Sequence, residues 1–236
     1  MADTDILSRI DHAILSPTLT EREVVEGVEL AVRHQVAVCV VPPVWLPVIV
    51  PRLRGTGVAP ATTCGFPLGQ NTTATKTVEA CDAVYAGAQE VDLVMNYAAL
   101  RSGYQHLVEQ DLRAVIAACG YAAQRMAREG QDSHPPLVKV ILETCYLSED
   151  QKRLAVELAI RAGADYVKTS TGTGPEGATV EDVALLRKLA PPEVGVKAAG
   201  GIRTVEDCRR LLEAGADRLG TSATAQIAAE LAGGQG

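Results

Sequence analysis

Apolar segments of strand length alternate with longer amphipathic segments along this chain. The segment 36–41 (VAVCVV) is apolar at every position, which is typical of a parallel strand that is covered on both faces. Helix signals stand between such runs. Thr20, for example, is followed by Glu23, a capping box that predicts the start of a helix. Strand and helix alternate throughout, so the sequence predicts an α/β protein with a parallel sheet.

The pattern predicts eight strands and the helices between them. We expect strands at 11–15, 36–41, 59–65, 90–96 and 137–144, around Lys168, around Lys197 and at 218–222. We expect helices at 3–10, 20–34, 45–53, 72–85, 104–128 and 148–160, and one more after the last strand. Eight strand–helix units in 236 residues fit a single (β/α)8 TIM barrel over 1–236, with a short N-terminal helix. A doubly wound open sheet is the alternative, but the G-x-G-x-x-G turn expected after its first strand is missing from the sequence.

A weak internal repeat relates three strands of the predicted barrel. Each copy begins Ala-Gly-Ala, and its glycine stands where a helix should end. Five residues after that glycine stand Asp92, Lys168 and Gly220, each on a different strand. Because side chains alternate along a strand, the equal spacing gives these three residues the same facing. We expect them to share one layer near the C-terminal mouth, where barrel enzymes hold their chemistry.

Two lysines stand inside apolar strands, Lys168 in YVKTSTG and Lys197 in GVKAAGG. Lysine is rarely buried, because removing its charge from water is costly. One interpretation is a structural ion pair with a buried carboxylate. The other is that burial and a nearby cation lower the pKa of the amine, so that its neutral nitrogen can attack a carbonyl group. Two such lysines on neighbouring strands favour the second interpretation, although the residues alone do not show which lysine is the nucleophile.

Three further ionisable residues lie in the predicted strands. Asp92 is interpreted as the counter-ion of a buried lysine, as a group that holds or relays a proton, or as both. Lys139 has several strand residues after it, so we expect it to lie deeper than the mouth, in a structural ion pair with Asp92 or Glu143. Asp11 stands on the first strand and is expected to face the same cavity.

Glycine-rich loops follow the last two predicted strands. Gly200 and Gly201 come after the seventh strand, and the segment 220–222 (GTS) ends the eighth. Barrels often bind phosphate at these two loops, because backbone N–H groups converge there and a helix N-terminus adds positive potential. Plain turn chemistry is the alternative. The candidate phosphate-binding residues are Thr171, Gly172, Gly200, Gly201, Gly220 and Ser222.

Composition limits the classes of partner. The net charge of −7 and the pI of about 5.2 argue against nucleic acid as a ligand. No apolar segment is long enough to cross a membrane, and no signal peptide is visible, so we expect a cytoplasmic protein. The six cysteines form no C-x-x-C pair and the four histidines show no metal spacing, so we expect no metal site.

Several motifs, taken together, resemble the deoxyribose-phosphate aldolase family. The resemblance runs over nearly the whole chain, from residue 10 to about residue 222. The motifs are VCV (38–40), GFPLG (65–69), EVDLVMN (90–96), KVILETCY (139–146), YVKTSTG (166–172), KAAGGIR (197–203) and LGTS (219–222).

The resemblance implies a class I aldolase on a (β/α)8 barrel, with no metal and no other cofactor. Such an enzyme cleaves 2-deoxy-D-ribose 5-phosphate reversibly to acetaldehyde and D-glyceraldehyde 3-phosphate. By motif position, Lys168 is the Schiff-base lysine, Lys197 is the cation that lowers its pKa, and Asp92 takes part in proton transfer. The resemblance also implies small phosphosugar and aldehyde partners and a homo-oligomer, either a dimer or a tetramer.

The chain departs from the family pattern at a few positions. Ala13 and Val41 replace a common Thr and a common Asn, and Thr173 and Glu176 stand where Phe or Lys, and Gly, are common. The terminal Tyr of some members is missing. These departures bear on acceptor affinity and proton exchange. Two other hypotheses stay open: a Schiff-base barrel aldolase with a keto-acid donor, and a non-catalytic phosphosugar-binding barrel, which would not need the strand lysines.

Overall fold

The computed structural model describes residues 6–131 and 133–233. In these residues eight parallel strands pair in chain order, and the first strand also pairs with the last, so that the sheet closes into a barrel. The predicted (β/α)8 TIM barrel is therefore confirmed, and the open doubly wound sheet is excluded.

The strands are short, and helices connect them. The strands are β1 (Ile10–Ala13), β2 (Val38–Val41), β3 (Ala59–Cys64), β4 (Glu90–Val94), β5 (Leu137–Ile141), β6 (Tyr166–Lys168), β7 (Gly195–Ala199) and β8 (Arg218–Thr221). The helices are α1 (Glu21–Arg33), α2 (Leu46–Leu53), α3 (Thr73–Tyr85), α4 (Tyr97–Arg101), α5 (Gln105–Arg128), α6 (Glu149–Ala162), α7 (Val180–Leu189), α8 (Val205–Glu213) and α9 (Thr224–Gly233). In the two described ranges, no helix is both long enough and apolar enough to span a bilayer.

Three differences from the prediction are larger than a shift of one or two residues at the end of an element. The predicted leading helix at 3–10 is wrong where the structure describes it: Leu7–Arg9 form one 3₁₀ turn and Ile10 already begins β1, while residues 3–5 lie outside the described ranges. Helix α4 was not predicted; the Asn96 side chain caps it by accepting a hydrogen bond from the Ala99 N–H. The predicted strand 137–144 is too long, since β5 ends at Ile141. Residues 142–144 are still buried, so the hydropathy of the sequence does not mark the end of the strand.

The strand register determines which side chains meet inside the barrel. Moving two strands around the barrel shifts the register by two residues towards the C-terminal mouth, as the tilt of barrel strands requires. This step leads from Asp92 to Lys168, then to Gly220, then to Val40 and back to Asp92. The predicted layer of Asp92, Lys168 and Gly220 is therefore confirmed, with Val40 as its fourth member.

Two more layers lie below this one, and they are strongly charged. The middle layer holds Asp11, Ala61, Lys139 and Lys197, and the lowest holds Val38, Glu90, Tyr166 and Arg218. Bulky branched side chains usually fill these positions in a barrel. Here they occur only on the β2–β3 side, where a small cluster of Val38, Val40 and Ala61 forms. The main apolar core lies between the barrel and its helices.

A buried ion pair lies outside the barrel, between α3 and α5. Lys76 Nζ donates to Asp111 Oδ2 at 2.8 Å and to the Val94 carbonyl at 3.0 Å, and the Thr73 hydroxyl donates to Asp111 Oδ1 at 2.8 Å. Both ionic side chains are buried. This pair joins two helices to the end of β4, so it supports the sheet without facing the barrel interior.

We predict that Lys76→Met lowers the free energy of unfolding by about 3–5 kcal/mol, because it leaves the Asp111 charge buried and uncompensated. The double variant Lys76→Met/Asp111→Leu is expected to recover most of that loss, since a well-packed apolar pair removes both charges. Urea unfolding of the two variants and of the native protein measures the effect. Equal losses in the single and double variants would contradict this account of the pair.

Candidate active site

A cavity of about 890 Å³ opens at the C-terminal mouth of the barrel. The structure brings most of the predicted site residues together here. Those that line the cavity are Asp11, Asp92, Lys168, Thr171, Gly172, Lys197, Gly200, Gly201, Gly220 and Ser222. Lys139 does not line it, in agreement with the expectation that this lysine lies deeper.

Asp92 bridges the two candidate lysines with one oxygen. Lys168 Nζ donates to Asp92 Oδ2 at 2.6 Å, and Lys197 Nζ donates to the same oxygen at 2.7 Å. All three side chains are almost fully buried. Of the two lysines, Lys168 lies in the uppermost charged layer, next to the cavity, and Lys197 lies one layer below it.

The ionic network continues down the barrel axis. Asp11 Oδ2 accepts from Lys197 at 2.6 Å and from Lys139 at 2.8 Å. Lys139 also pairs with Glu90, and its Nζ is 3.5 Å from Asp92 Oδ1. The expected partner Asp92 is thus one of three carboxylates that pair with Lys139, and the shorter contacts are those with Asp11 and Glu90. The alternative partner Glu143 is wrong, because Glu143 lies on the exit loop of β5 and bonds to Thr171 instead.

The sequence reasoning missed Glu90 and Arg218, which complete the network from below. Arg218 donates to Asp11 Oδ1 at 2.9 Å and to Glu90 Oε1 at 3.4 Å. The signal was present in the repeat: each residue stands two positions before a member of the upper layer, so it has the same facing. The position of both residues at the start of a strand hides this signal, because a charged residue at a strand end is usually solvated.

Lys168 has a pKa lowered to about 8. Burial is the largest cause, since it penalises the charged amine; the Asp92 carboxylate opposes the shift, and the charge of Lys197 adds to it. At pH 7.5 a lysine with this pKa is about one quarter neutral, whereas an ordinary lysine is neutral in about one molecule per thousand. The site therefore holds an amine that is available for nucleophilic attack.

Asp92 and Asp11 stay ionised inside the barrel. Burial alone would raise the pKa of Asp92, but the charges of Lys168, Lys197 and Lys139 outweigh it and hold that pKa well below its usual value. Asp11 likewise has a lowered pKa, because its cationic neighbours overcome the effect of burial. The pKa of Lys139 is raised, since three carboxylates together outweigh its burial.

Charge balance explains which lysine is easily neutralised. The network contains three carboxylates, Asp11, Glu90 and Asp92, and four cationic side chains, Lys139, Lys168, Lys197 and Arg218. One cation is therefore in excess inside a low-dielectric barrel. Among the residues that the structure describes, Lys168 forms an ion pair with one carboxylate, Asp92, and it lies next to the cavity, so loss of its proton balances the charges at the lowest cost.

The candidate phosphate loops follow β6, β7 and β8 and line the same cavity. Gly172, Gly200 and Gly201 have φ angles of 86°, 88° and 79°, in the left-handed region that glycine adopts without strain. A Cβ atom at Gly200 would lie 2.9 Å from the Gly177 Cα, so a side chain there would push the two loops apart. Ser222 is exposed at the end of β8, shortly before α9 begins. These loops leave backbone N–H groups and one hydroxyl available to an anion.

His12 supports the same region from below. It is buried, and its Nδ1 is 2.8 Å from the Thr224 hydroxyl at the start of α9. Burial lowers the pKa of His12 to about 4, with a smaller contribution from His34. His12 is thus a neutral, hydrogen-bonded core histidine. In the part of the chain that the structure describes, no group of three or more His, Cys, Asp or Glu side chains is arranged as a set of metal ligands.

Comparison with known proteins identifies the family of this site. The family model of the DeoC/LacD family aldolases matches residues 10–227. The chain belongs to the DeoC/LacD aldolase family. The protein is therefore an aldolase, an enzyme that makes and breaks carbon–carbon bonds.

Individual relatives agree with this assignment. A curated deoxyribose-phosphate aldolase from Bacillus subtilis is 45% identical over 218 residues, which cover 92% of each chain. A deoxyribose-phosphate aldolase 2 from Bacillus licheniformis is 46% identical over 222 residues, 94% of each chain. Among solved structures, a tetrameric deoxyribose phosphate aldolase from Aeropyrum pernix has a TM-score of 0.83 and 34% identity, with 99% of this chain and 92% of that chain covered.

We predict that Lys197→Leu shifts the acid limb of the aldolase pH–rate profile to higher pH by about one unit or more. The substitution removes a cation that lowers the pKa of Lys168 and leaves Asp92 to stabilise the protonated amine, so more alkaline solution is needed to neutralise Lys168. Lys188→Leu, which removes an exposed cation from α7, is the control and should leave the limb near pH 8. A lower rate with an unshifted limb would instead assign Lys197 a role in proton transfer.

Proposed function

We propose that the protein is a 2-deoxy-D-ribose 5-phosphate aldolase, which cleaves its substrate reversibly to acetaldehyde and D-glyceraldehyde 3-phosphate. The observation that carries the proposal is the position of Lys168, a lysine with a pKa of about 8 at the mouth of the barrel. The names of the curated relatives support the choice of sugar. Such an enzyme acts in the catabolism of deoxyribose.

In the proposed mechanism Lys168 is the nucleophile. Its neutral amine attacks the C1 aldehyde of the open-chain sugar, and the resulting carbinolamine loses water to give an iminium ion. A base removes the proton of the C3 hydroxyl, the C2–C3 bond breaks, and its electron pair moves into the iminium to form an enamine. D-glyceraldehyde 3-phosphate leaves. Protonation of the enamine carbon and addition of water then release acetaldehyde and restore the amine.

Asp92 is proposed to take part in proton transfer, and Lys197 is proposed as the cation that lowers the pKa of Lys168. Asp92 Oδ2 is 2.6 Å from Lys168 Nζ, so a proton can move between these two groups with little displacement of heavy atoms. The lowered pKa of Asp92 keeps it ionised and able to stabilise the iminium charge. Asp11 and Lys139 are proposed to act indirectly, by holding Lys197 and Asp92 in place.

Phosphate binding is proposed to depend mostly on neutral donors. The net charge is −7, so long-range attraction for a dianion is weak and local contacts must supply the affinity. The proposed contacts come from the backbone N–H groups near Gly172, Gly201 and Ser222, with the Ser222 hydroxyl as a further donor. The remaining residues of this proposed site are Thr171 and Gly200, which lie in the loops, and Gly220, which lies on β8.

We further propose that the protein works as a homo-oligomer, a dimer or a tetramer, and that its only ligands are small phosphosugars and aldehydes rather than nucleic acid. The described tetrameric relative supports the assembly, and the acidic net charge supports the exclusion of nucleic acid. A cytoplasmic location fits the same proposal, since phosphorylated sugars are intracellular metabolites.

Borohydride reduction in the presence of acetaldehyde is expected to label Lys168 covalently. Reduction converts the imine to a stable secondary amine, and peptide mass mapping then locates the modified residue. The variant Lys168→Arg keeps a charged side chain but has no neutral amine at working pH, so it should lose both the label and the activity. A label on Lys197 or Lys139 would overturn the assignment, and a label obtained with pyruvate in preference to acetaldehyde would favour a keto-acid donor.

Ser222→Asp is expected to raise the KM for 2-deoxyribose 5-phosphate about tenfold or more, because a carboxylate would repel the phosphate dianion. Unphosphorylated 2-deoxyribose should be nearly unaffected. Ser222→Asn is the matched neutral control and should change both values only slightly. Steady-state kinetics with both sugars decide the question. Equal damage to both substrates would mean that the phosphate does not bind where we place it.

A further inference from the structure

Glu143 occupies an irregular position between β5 and β6. The Leu142 N–H bonds to the Lys168 carbonyl at 2.9 Å, and the Thr144 N–H bonds to the Thr169 carbonyl at 3.0 Å. From the first bond to the second, the chain after β5 moves on by two residues and the chain after β6 by one. This is the pattern of a β-bulge in which Glu143 is the extra residue. Glu143 has a φ angle of 56°, which is uncommon for a residue with a side chain. Bulges of this kind often redirect a side chain next to an active site.

The redirected carboxylate is buried under the exit loop of β6. Only 1% of Glu143 is exposed, and it accepts hydrogen bonds from the Thr171 backbone N–H at 3.2 and 3.3 Å and from the Thr171 hydroxyl. Gly174 closes over it: a Cβ atom there would be 3.4 Å from Glu143 Oε1 and 3.0 Å from Cys145 Sγ. The loop that carries the candidate phosphate-binding residues is therefore folded around this one carboxylate.

The hydrogen bonds fix the direction of a short hydroxyl chain. Burial raises the pKa of Glu143, and the hydrogen bonds from Thr171 and the charge of Lys168 oppose that shift. The Thr171 hydroxyl has one proton and donates it to the Glu143 carboxylate, which in its ionised form can only accept. The Thr171 oxygen then accepts from the Thr173 N–H at 3.1 Å and, at 2.9 Å, from the Thr173 hydroxyl. With its proton engaged in this way, the Thr173 oxygen has only lone pairs left for a ligand. Thr173 lines the cavity.

We propose that Glu143 is a positioning residue that makes Thr173 a hydrogen-bond acceptor, so that Thr173 selects aldehyde acceptors carrying a hydroxyl group next to the carbonyl. The inference rests on the proposed function and deepens it. An acceptor oxygen repels phosphate and attracts a hydroxyl proton. Within D-glyceraldehyde 3-phosphate, the C2 hydroxyl is the donor that fits this chemistry. The aldolase thus recognises that hydroxyl through a side chain whose polarity is set by a residue that does not face the cavity.

The test compares two acceptors in the synthetic direction, with acetaldehyde as donor. One is D-glyceraldehyde 3-phosphate, and the other is 3-oxopropyl phosphate, which lacks the C2 hydroxyl. Thr173→Val should lower kcat/KM about tenfold for the first acceptor, the effect of one lost hydrogen bond to a substrate hydroxyl, and less than about twofold for the second. Thr173→Ser keeps the hydroxyl and should retain most of the native preference. Equal losses for both acceptors would overturn the proposal.

A double-mutant cycle tests the role of Glu143. In Glu143→Gln the amide cannot accept both Thr171 hydrogen bonds without turning an N–H towards one of them, so the chain loses its fixed direction. In this background, Thr173→Val should lower kcat/KM for D-glyceraldehyde 3-phosphate by less than about twofold. Glu176→Gln removes the same charge from an exposed position of the same loop. In the Glu176→Gln control background, Thr173→Val should still lower kcat/KM for this acceptor about tenfold. An unchanged tenfold cost in the Glu143→Gln background would overturn the inference.

Two further measurements keep the outcome unambiguous. If Glu143→Gln does not fold, as judged by thermal unfolding, Thr171→Val breaks the chain one step later and should remove the same coupling; retention of the coupling there counts against the proposal. Borohydride labelling of Lys168 with acetaldehyde is measured for every variant. Intact labelling together with no energetic coupling between Glu143 and Thr173 would overturn this inference alone. Failure of the native protein to label at Lys168 would overturn the proposed function.

Discussion

The structure depends on the removal of one lysine amine from water inside a barrel that is already crowded with charge. Burial of Lys168 costs free energy while the amine is protonated, and Lys197 prevents Asp92 from compensating fully, because both lysines share one carboxylate oxygen. The rest of the lumen keeps the other charges paired. On the β2–β3 side, Val38, Val40 and Ala61 form a small apolar cluster instead. Reactivity is thus a property of the packed barrel and not of the lysine alone.

The layers explain why the fold and the chemistry come from one pattern. Alternation along each strand separates the residues that pack against helices from those that face the lumen, and the tilt of the strands brings every second strand into register. Helix ends, loops and strand ends therefore contribute to the same cavity although they are far apart in the chain. The catalytic constellation requires no special segment, only the regular geometry of the barrel with unusual residues at inward positions.

Much of this arrangement could be predicted from the sequence, and the failures have physical causes. The strand order, the shared layer and the deep position of Lys139 follow from alternation and equal spacing. The pairing of Lys139 with Asp11 and Glu90 does not, because ion pairing across a closed barrel depends on register between distant strands. The direction of Glu143 could not be predicted either: its sequence is an ordinary continuation of a strand, and only the bulge turns the side chain away from the lumen. The short helix α4 depends on a single cap, Asn96.

The connected charges in the lumen have a consequence for how such a sequence can diverge. Because the three carboxylates and four cationic side chains share partners, the effect of any single substitution depends on the others. A change at one of these positions leaves an opposite charge stranded in the barrel. Accepted changes are therefore expected to occur as compensating pairs, and the inward face of the barrel should show stronger epistasis than its apolar outer face, where residues of similar volume replace one another independently.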